Sequence, residues 1–207
     1  MENNIKVTTV YAEMTPNPAT MKFVADRPIL PMDGIAEFYS AAEAKGYSDL
    51  ALQLFKFPFV KGLFFSSHYV TITKSDSMAW DFVTGELREF IQDYLRTQIL
   101  ALDKFPEVKI EEGKEQVAKV LGASSHAEPK TELDAKIISI LDEYVRPAVS
   151  ADGGAIHFQS FNEGIVHLVL RGSCSGCPSS TVTLKNGVEN LMKEMIPEVK
   201  EVVAVED

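Results

Sequence analysis

The ten residues Arg171-Gly-Ser-Cys-Ser-Gly-Cys-Pro-Ser-Ser180 constrain this chain more than any other stretch. Ahead of them runs Ile165-Val-His-Leu-Val-Leu170, a β-type segment. Behind them runs Thr181 to Met195, where Val182, Val188, Leu191, Met192 and Met195 mark the apolar side of a helix. Pro178 suits the first turn of that helix, where a missing N–H costs nothing. The stretch is therefore a strand-to-helix corner, which places it in a layered fold of sheet against helix.

The flanks complete the unit. Thr131-Glu-Leu-Asp134 has capping-box spacing, with Asp where Glu or Gln is usual. Ile137, Ile140, Leu141, Tyr144 and Val145 form the buried stripe of the helix that follows, and Pro147 is expected to end it. Ser150-Ala-Asp-Gly-Gly154 predicts a turn that needs glycine's backbone freedom. Ala155 to Phe161 reads as a strand, Asn162-Glu-Gly164 as a hairpin turn, and Val199 to Val205 as a last strand. The order over residues 131–207 is α-β-β-α-β.

The N-terminal half has its own pattern. Ile5 to Met14 alternates like a strand, Thr15-Pro-Asn-Pro18 stops it, and Met21-Lys-Phe-Val24 resumes it as a hairpin. Arg27 to Pro31 is irregular, and Gly34 to Ala44 has weak helical character. Ser48 caps a short helix to Phe55. Leu63-Phe-Phe-Ser66 and Tyr69-Val-Thr-Ile-Thr73 are strands joined at Ser67-His68. Asp76 or Ser77 caps a long helix through Leu100 with Val83, Leu87, Phe90, Ile91 and Tyr94 on one side. Lys104 to Leu121 alternates charges, and Gly122 to Lys130 has linker composition. These readings give two small mixed domains, of α+β or α/β class: 1–103 and 131–207, with 104–130 between them.

Composition narrows the function. A formal net charge of −10 disfavours nucleic acid and anionic membranes as partners. No apolar run approaches the ~20 residues of a membrane span, and the first residues lack signal-peptide and transit-peptide character. The expected location is cytoplasmic, where thiols stay reduced and a disulfide between Cys174 and Cys177 is disfavoured.

Two thiols two residues apart suit three chemistries. The helix N-terminus beyond them favours thiolate, which serves metal binding and nucleophilic attack alike. In a thiol–disulfide oxidoreductase of the thioredoxin type the motif lies near a βαβ pattern; here the proline follows the second cysteine and no parallel crossover precedes the motif. A zinc site needs four N or S ligands, which Cys174, Cys177, His157 and His167 could supply if the hairpin put both histidines on one face. His68 and His126 are assigned no role. Common iron–sulfur clusters take four thiolates. This chain holds two cysteines, so on that reading two chains share one centre at a two-fold interface. Phe64, Phe65, Trp80, Met192 and Met195 read as core, and Lys185 as a solvated residue.

Longer matches point to a family. Val145-Arg-Pro147, Asp152-Gly-Gly154, Leu170 to Glu189 and Ile196-Pro-Glu-Val199 resemble the C-terminal domain of Nfu/NifU proteins. Thr15-Pro-Asn-Pro18, Met21-Lys-Phe23, Phe59 to Phe65, Tyr69 to Lys74 and Trp80 resemble the Nfu N-terminal domain. The resemblance implies a non-enzymatic iron–sulfur carrier with Cys174 and Cys177 as ligands. It implies a [4Fe-4S] cluster held across a homodimer, received from an upstream assembly scaffold and passed to apo-proteins. Ala155 stands where the family often has an acidic residue. With no other cysteine in the chain, carriage and delivery fit better than direct assembly with a desulfurase.

Overall fold

The computed structural model describes residues 7–32, 34–106, 126–175 and 178–205, with the backbone alone at 178–181. The start of the first predicted strand, the charged stretch from Glu107 to Lys119, the linker residues 122–125 and Cys177 lie outside the described residues. The chain divides into two compact units, Met1–Ser124 and Ser125–Asp207.

In the first unit β1 (Val10–Met14) and β2 (Thr20–Ala25) form the expected hairpin. The Asn17 side chain accepts the Ala19 N–H at 3.0 Å, and its carbonyl accepts the Thr20 N–H at 2.9 Å. The two prolines thus flank an asparagine that supplies the acceptors of its own turn. Next come β3 (Ile35–Phe38), α1 (Ala41–Ala44), α2 (Asp49–Leu54), β4 (Val60–Ser66), β5 (Tyr69–Lys74) and α3 (Trp80–Thr97). The strands make one antiparallel sheet in the order β1-β2-β5-β4-β3. Phe23, Phe38, Leu63, Phe65 and Ile72 of the sheet meet Leu50, Leu54, Leu87, Ile91 and Leu95 of the helices in one core. Burying each such side chain contributes about 1.5–3 kcal/mol.

Three expectations for this unit are corrected. Part of the stretch read as weakly helical, Ile35–Phe38, is a strand, wholly buried and paired with Leu63 to Ser66 of β4. Ala36 and Glu37 favour helix in isolation, but pairing and burial at a sheet edge outweigh tenths of a kilocalorie of propensity. β4 begins at Val60, three residues before the predicted strand. The long helix begins at Trp80 after Ala79, which makes no side-chain cap, and not at Asp76 or Ser77. Ser77 Oγ pairs with Ser75 Oγ at 2.7 Å, while the Trp80 indole N–H donates to the Pro18 carbonyl at 3.0 Å. Docking of the indole on the β1–β2 turn anchors the start of α3. By contrast Ser48 caps α2 as expected, accepting the Ala51 N–H at 3.0 Å and donating to the Ala101 carbonyl at 2.6 Å.

The second unit runs α4 (Glu132–Ile140), a π turn (Leu141–Val145), α5 (Arg146–Ala151), β6 (Gly154–Asn162), β7 (Ile165–Gly172), α6 (Pro178–Met195) and β8 (Glu201–Val205). Thr131 and Asp134 make the reciprocal capping box, each bond 3.0 Å. Pro147 does not end the helical run. The chain widens into the π turn, and Pro147 falls in the first turn of α5, where no N–H is required. β6 and β7 pair antiparallel through a two-residue turn whose Glu163 and Gly164 both have positive φ, as a right-twisted hairpin requires. β8 lies parallel to β7, so α6 is the crossover of a β-α-β unit. Ile137, Leu141, Ile156, Phe158, Leu168, Leu170, Val188 and Met192 fill the space between sheet and helices. Both units mix helices and strands, as the sequence implies.

Candidate functional site

The cysteine corner lies at the carboxyl end of β7, where the chain turns to enter α6. In layered α/β units this is the end of the sheet where ligands gather, because strand ends and helix N-termini converge there. Two loops meet at it. The register sets Gly154 opposite Gly172 and Ala155 opposite Arg171, so the Asp152–Gly154 turn lies beside Ser173 and Cys174. The Ser173 N–H donates to the Gly153 carbonyl at 3.3 Å, and the Ser173 hydroxyl donates to the Asp152 carbonyl. The Ser175 N–H closes a turn onto the Gly172 carbonyl at 3.1 Å.

Cys174 is buried, 6 % exposed, and joins the apolar cluster that includes Leu170, Val188 and Met192. Its Sγ lies 3.8 Å from Ser173 Oγ. The two glycines at the start of β6 serve different purposes. Gly153 has a φ of +80°, the backbone freedom the sequence predicts. Gly154 has no such requirement; it is a place of close approach, and a Cβ there would stand 2.8 Å from Cys174 Sγ and 2.7 Å from the Arg171 carbonyl oxygen. The thiol thus occupies the space that a side chain at 154 would fill. Cys177, the second predicted ligand, lies outside the described residues.

The histidines of the zinc reading are elsewhere. His157 stands opposite Val169, and His167 is two residues from Val169 on β7, so the two histidines share a sheet face. It is not the face of Cys174: Ile156, Phe158, Leu168 and Leu170 alternate with them and point into the cluster that holds the thiol. Among the described residues no group of three His, Cys, Asp or Glu is placed to hold a metal.

Sequence reasoning missed His126. Its Nδ1 accepts the Phe158 N–H at 2.8 Å, and its Nε2 lies 2.9 Å from Asp142 Oδ1 and 2.6 Å from an Arg146 guanidinium nitrogen. Arg146 reaches the same carboxylate oxygen at 2.9 Å. The Ala127 N–H donates to the Phe158 carbonyl at 2.8 Å, so this segment extends the edge of β6 instead of being plain linker. Burial pulls the His126 pKa down, opposed by its bond to Asp142. His157, whose ring centroid is 5.8 Å from that of His126, is buried with neither ring nitrogen hydrogen-bonded. Burial first, then His126, Arg146 and Arg171, push its pKa down to about 3. Lys185, read as a solvated residue, lies 3.6 Å from Glu201.

Comparison with known proteins assigns both units. Residues 137–203 match the family model described as NifU-like domain, and residues 10–98 match the one described as Scaffold protein Nfu/NifU N terminal. The chain is 37 % identical over 194 residues to NifU-like protein 4, mitochondrial, of Arabidopsis thaliana, covering 92 % of this chain and 64 % of that one. It is 34 % identical over 200 residues to the human NFU1 iron-sulfur cluster scaffold homolog, mitochondrial, covering 96 % of this chain and 72 % of that one. Among solved structures, a NifU-like protein from Saccharomyces cerevisiae matches 47 % of this chain and 87 % of its own, at 19 % identity and a TM-score of 0.42. The chain belongs to the Nfu/NifU family. It spans just under two thirds of the length of the Arabidopsis relative.

Proposed function

We propose that this protein is an iron–sulfur cluster carrier. Its cargo is a [4Fe-4S] cluster bound by Cys174 and Cys177 of two identical chains, received from an upstream scaffold and passed to apo-proteins without enzymatic chemistry. The observation that carries the reading is the Cys174 thiol at the strand-to-helix corner, backed by a glycine whose missing Cβ makes room for the sulfur. Soft thiolate donors suit iron–sulfur cargo, and the relatives named as iron-sulfur cluster scaffolds support it. Two thiols per chain meet the four-thiolate need only when two chains contribute. Delivery is ligand exchange: a target thiolate takes the place of one cysteine at a time, and the pair of chains separates as the cargo leaves. A thiol-reducing compartment such as the cytoplasm suits this exchange.

The test is anaerobic reconstitution with iron and sulfide, measuring iron per chain and oligomeric state together. About four irons per dimer are expected from the four-thiolate rule. A loaded monomer would sink the shared site. Failure to take up iron, with disulfide reductase activity instead, would replace the carrier with an oxidoreductase. Cys177→Ala should abolish loading; normal loading and delivery would remove it from the ligand set.

A further inference from the structure

We infer that Gly154 and the Asp152–Ser173 clamp form a socket that fixes one cargo ligand, Cys174, before any cargo arrives. The inference rests on the carrier reading for its purpose, but its geometry belongs to the chain alone.

Three contacts define the socket. A Cβ on residue 154 would lie 2.8 Å from Cys174 Sγ, 3.2 Å from the Cys174 backbone nitrogen and 2.7 Å from the Arg171 carbonyl oxygen. Two of those neighbours are backbone atoms of the β7 end, so the obstruction cannot be relieved by turning a side chain. With glycine, the sulfur settles against the sheet and is buried. The clamp works from the other side. Ser173 is itself 2 % exposed, its N–H bonded to Gly153 and its hydroxyl to the Asp152 carbonyl. These bonds tie the residue before the cysteine to the residues before Gly154, so the loop bearing the thiol cannot lift without breaking both. Breaking either bond would leave a buried polar group without its partner, which costs more than the bond's own net contribution.

The consequence is a held thiol. A ligand already seated pays little ordering entropy when cargo binds, which favours capture and slows loss. Gly154 and Ser173 are therefore positioning residues that act through Cys174.

The test reads the thiol without cargo. In the reduced, iron-free full-length protein, Cys174 and Cys177 are labelled with iodoacetamide under native conditions and followed separately by peptide mass spectrometry. Gly154→Ala overpacks the socket and should speed Cys174 labelling about tenfold relative to Cys177. In reconstituted protein the same variant should lose iron to a chelator faster by a similar factor. Gly187→Ala, in open space on α6, is the control and should change neither rate. If both thiols accelerate together, Gly154→Ala has loosened the whole unit and the socket is refuted as a local device. An unchanged Cys174 rate in folded Gly154→Ala refutes it outright. Should Gly154→Ala fail to fold, Ser173→Ala decides: it inserts no atoms, and a Cys174 rate equal to wild type overturns the inference. Ser173→Thr, which keeps the hydroxyl, should label more slowly than Ser173→Ala. Absence of iron uptake by wild type would defeat the carrier reading while leaving the labelling result intact.

Discussion

The two units solve the same packing problem in different ways. The first closes five strands by antiparallel pairing alone and covers one face with α2 and α3. Its neighbouring strands β1–β2 and β4–β5 are joined directly as antiparallel hairpins. The second has three strands, and one connection is a parallel crossover through α6. A crossover must leave the sheet at a strand's carboxyl end and come back over its face, so it creates a corner between strand and helix. Cys174 lies at that corner, Cys177 follows it three residues on in the sequence, and the larger unit contains no cysteine. Core size and thiol chemistry are thus separated: the unit with the larger sheet has no cysteine, and both cysteines of the sequence belong to the smaller unit.

That contrast can be broken experimentally. Cys174→Ala should remove essentially all bound iron while leaving the fluorescence-detected unfolding of the first unit unchanged. Trp80 is the sole tryptophan of the chain, so its emission reports on that unit alone. A shifted Trp80 transition would show that the site and the first unit are not independent. Next in size, Leu87→Ala removes a wholly buried side chain of α3. It should cost the first unit about 2–5 kcal/mol in urea unfolding followed at Trp80, with iron loading retained by the second.

Acid should act on the second unit. His157 is neutral when folded, with a pKa near 3, against an ordinary value of 6.5. Above pH 6.5 both states are neutral and the residue contributes no pH dependence. Below it the unfolded chain takes up a proton that the folded one refuses, so stability falls as pH falls, down to about pH 3. His126, also shifted down, adds the same sign; the Arg146 and Arg171 charges act by lowering the His157 pKa, which Asp142 opposes. Between pH 6.5 and 5 the loss should be about 2 kcal/mol. Calorimetry of His157→Leu should show most of that slope removed; an unaltered slope would place the acid sensitivity elsewhere. The smallest effect is at a cap. Thr131→Ala should cost the second unit about 1 kcal/mol, read from its melting temperature.

Local chemistry was legible at several short segments, though not at Pro147, which the helical run passes, nor at Asp76 and Ser77, which do not cap α3. Thr131 and Asp134, Ser48, the Asn17 turn and Pro178 each supply a cap or a stop within a few residues, and the structure uses all of them. Illegible features depended on partners far along the chain. Ile35–Phe38 is a strand because β4 offers an edge. α3 starts at Trp80 because the indole finds Pro18, sixty-two residues earlier. His126 has a role because the edge of β6 leaves the Phe158 N–H to be satisfied.

The same division holds at the candidate site. The sequence alone determined that the two cysteines fall between a strand and a helix, that glycines come at the start of the hairpin, and that the chain carries two of the four thiolates the proposed cluster would take. Periodicity, proline placement and ligand counting need only neighbours in the chain. The tertiary structure decided that Gly154 is a steric vacancy and not a flexible joint, that Ser173 is tied to Asp152, and that His157 faces away from the thiol. Those facts follow from the pairing of β6 with β7, which brings residues about twenty apart into contact at ångström distances. No local pattern encodes which side chain's volume a distant sulfur will occupy.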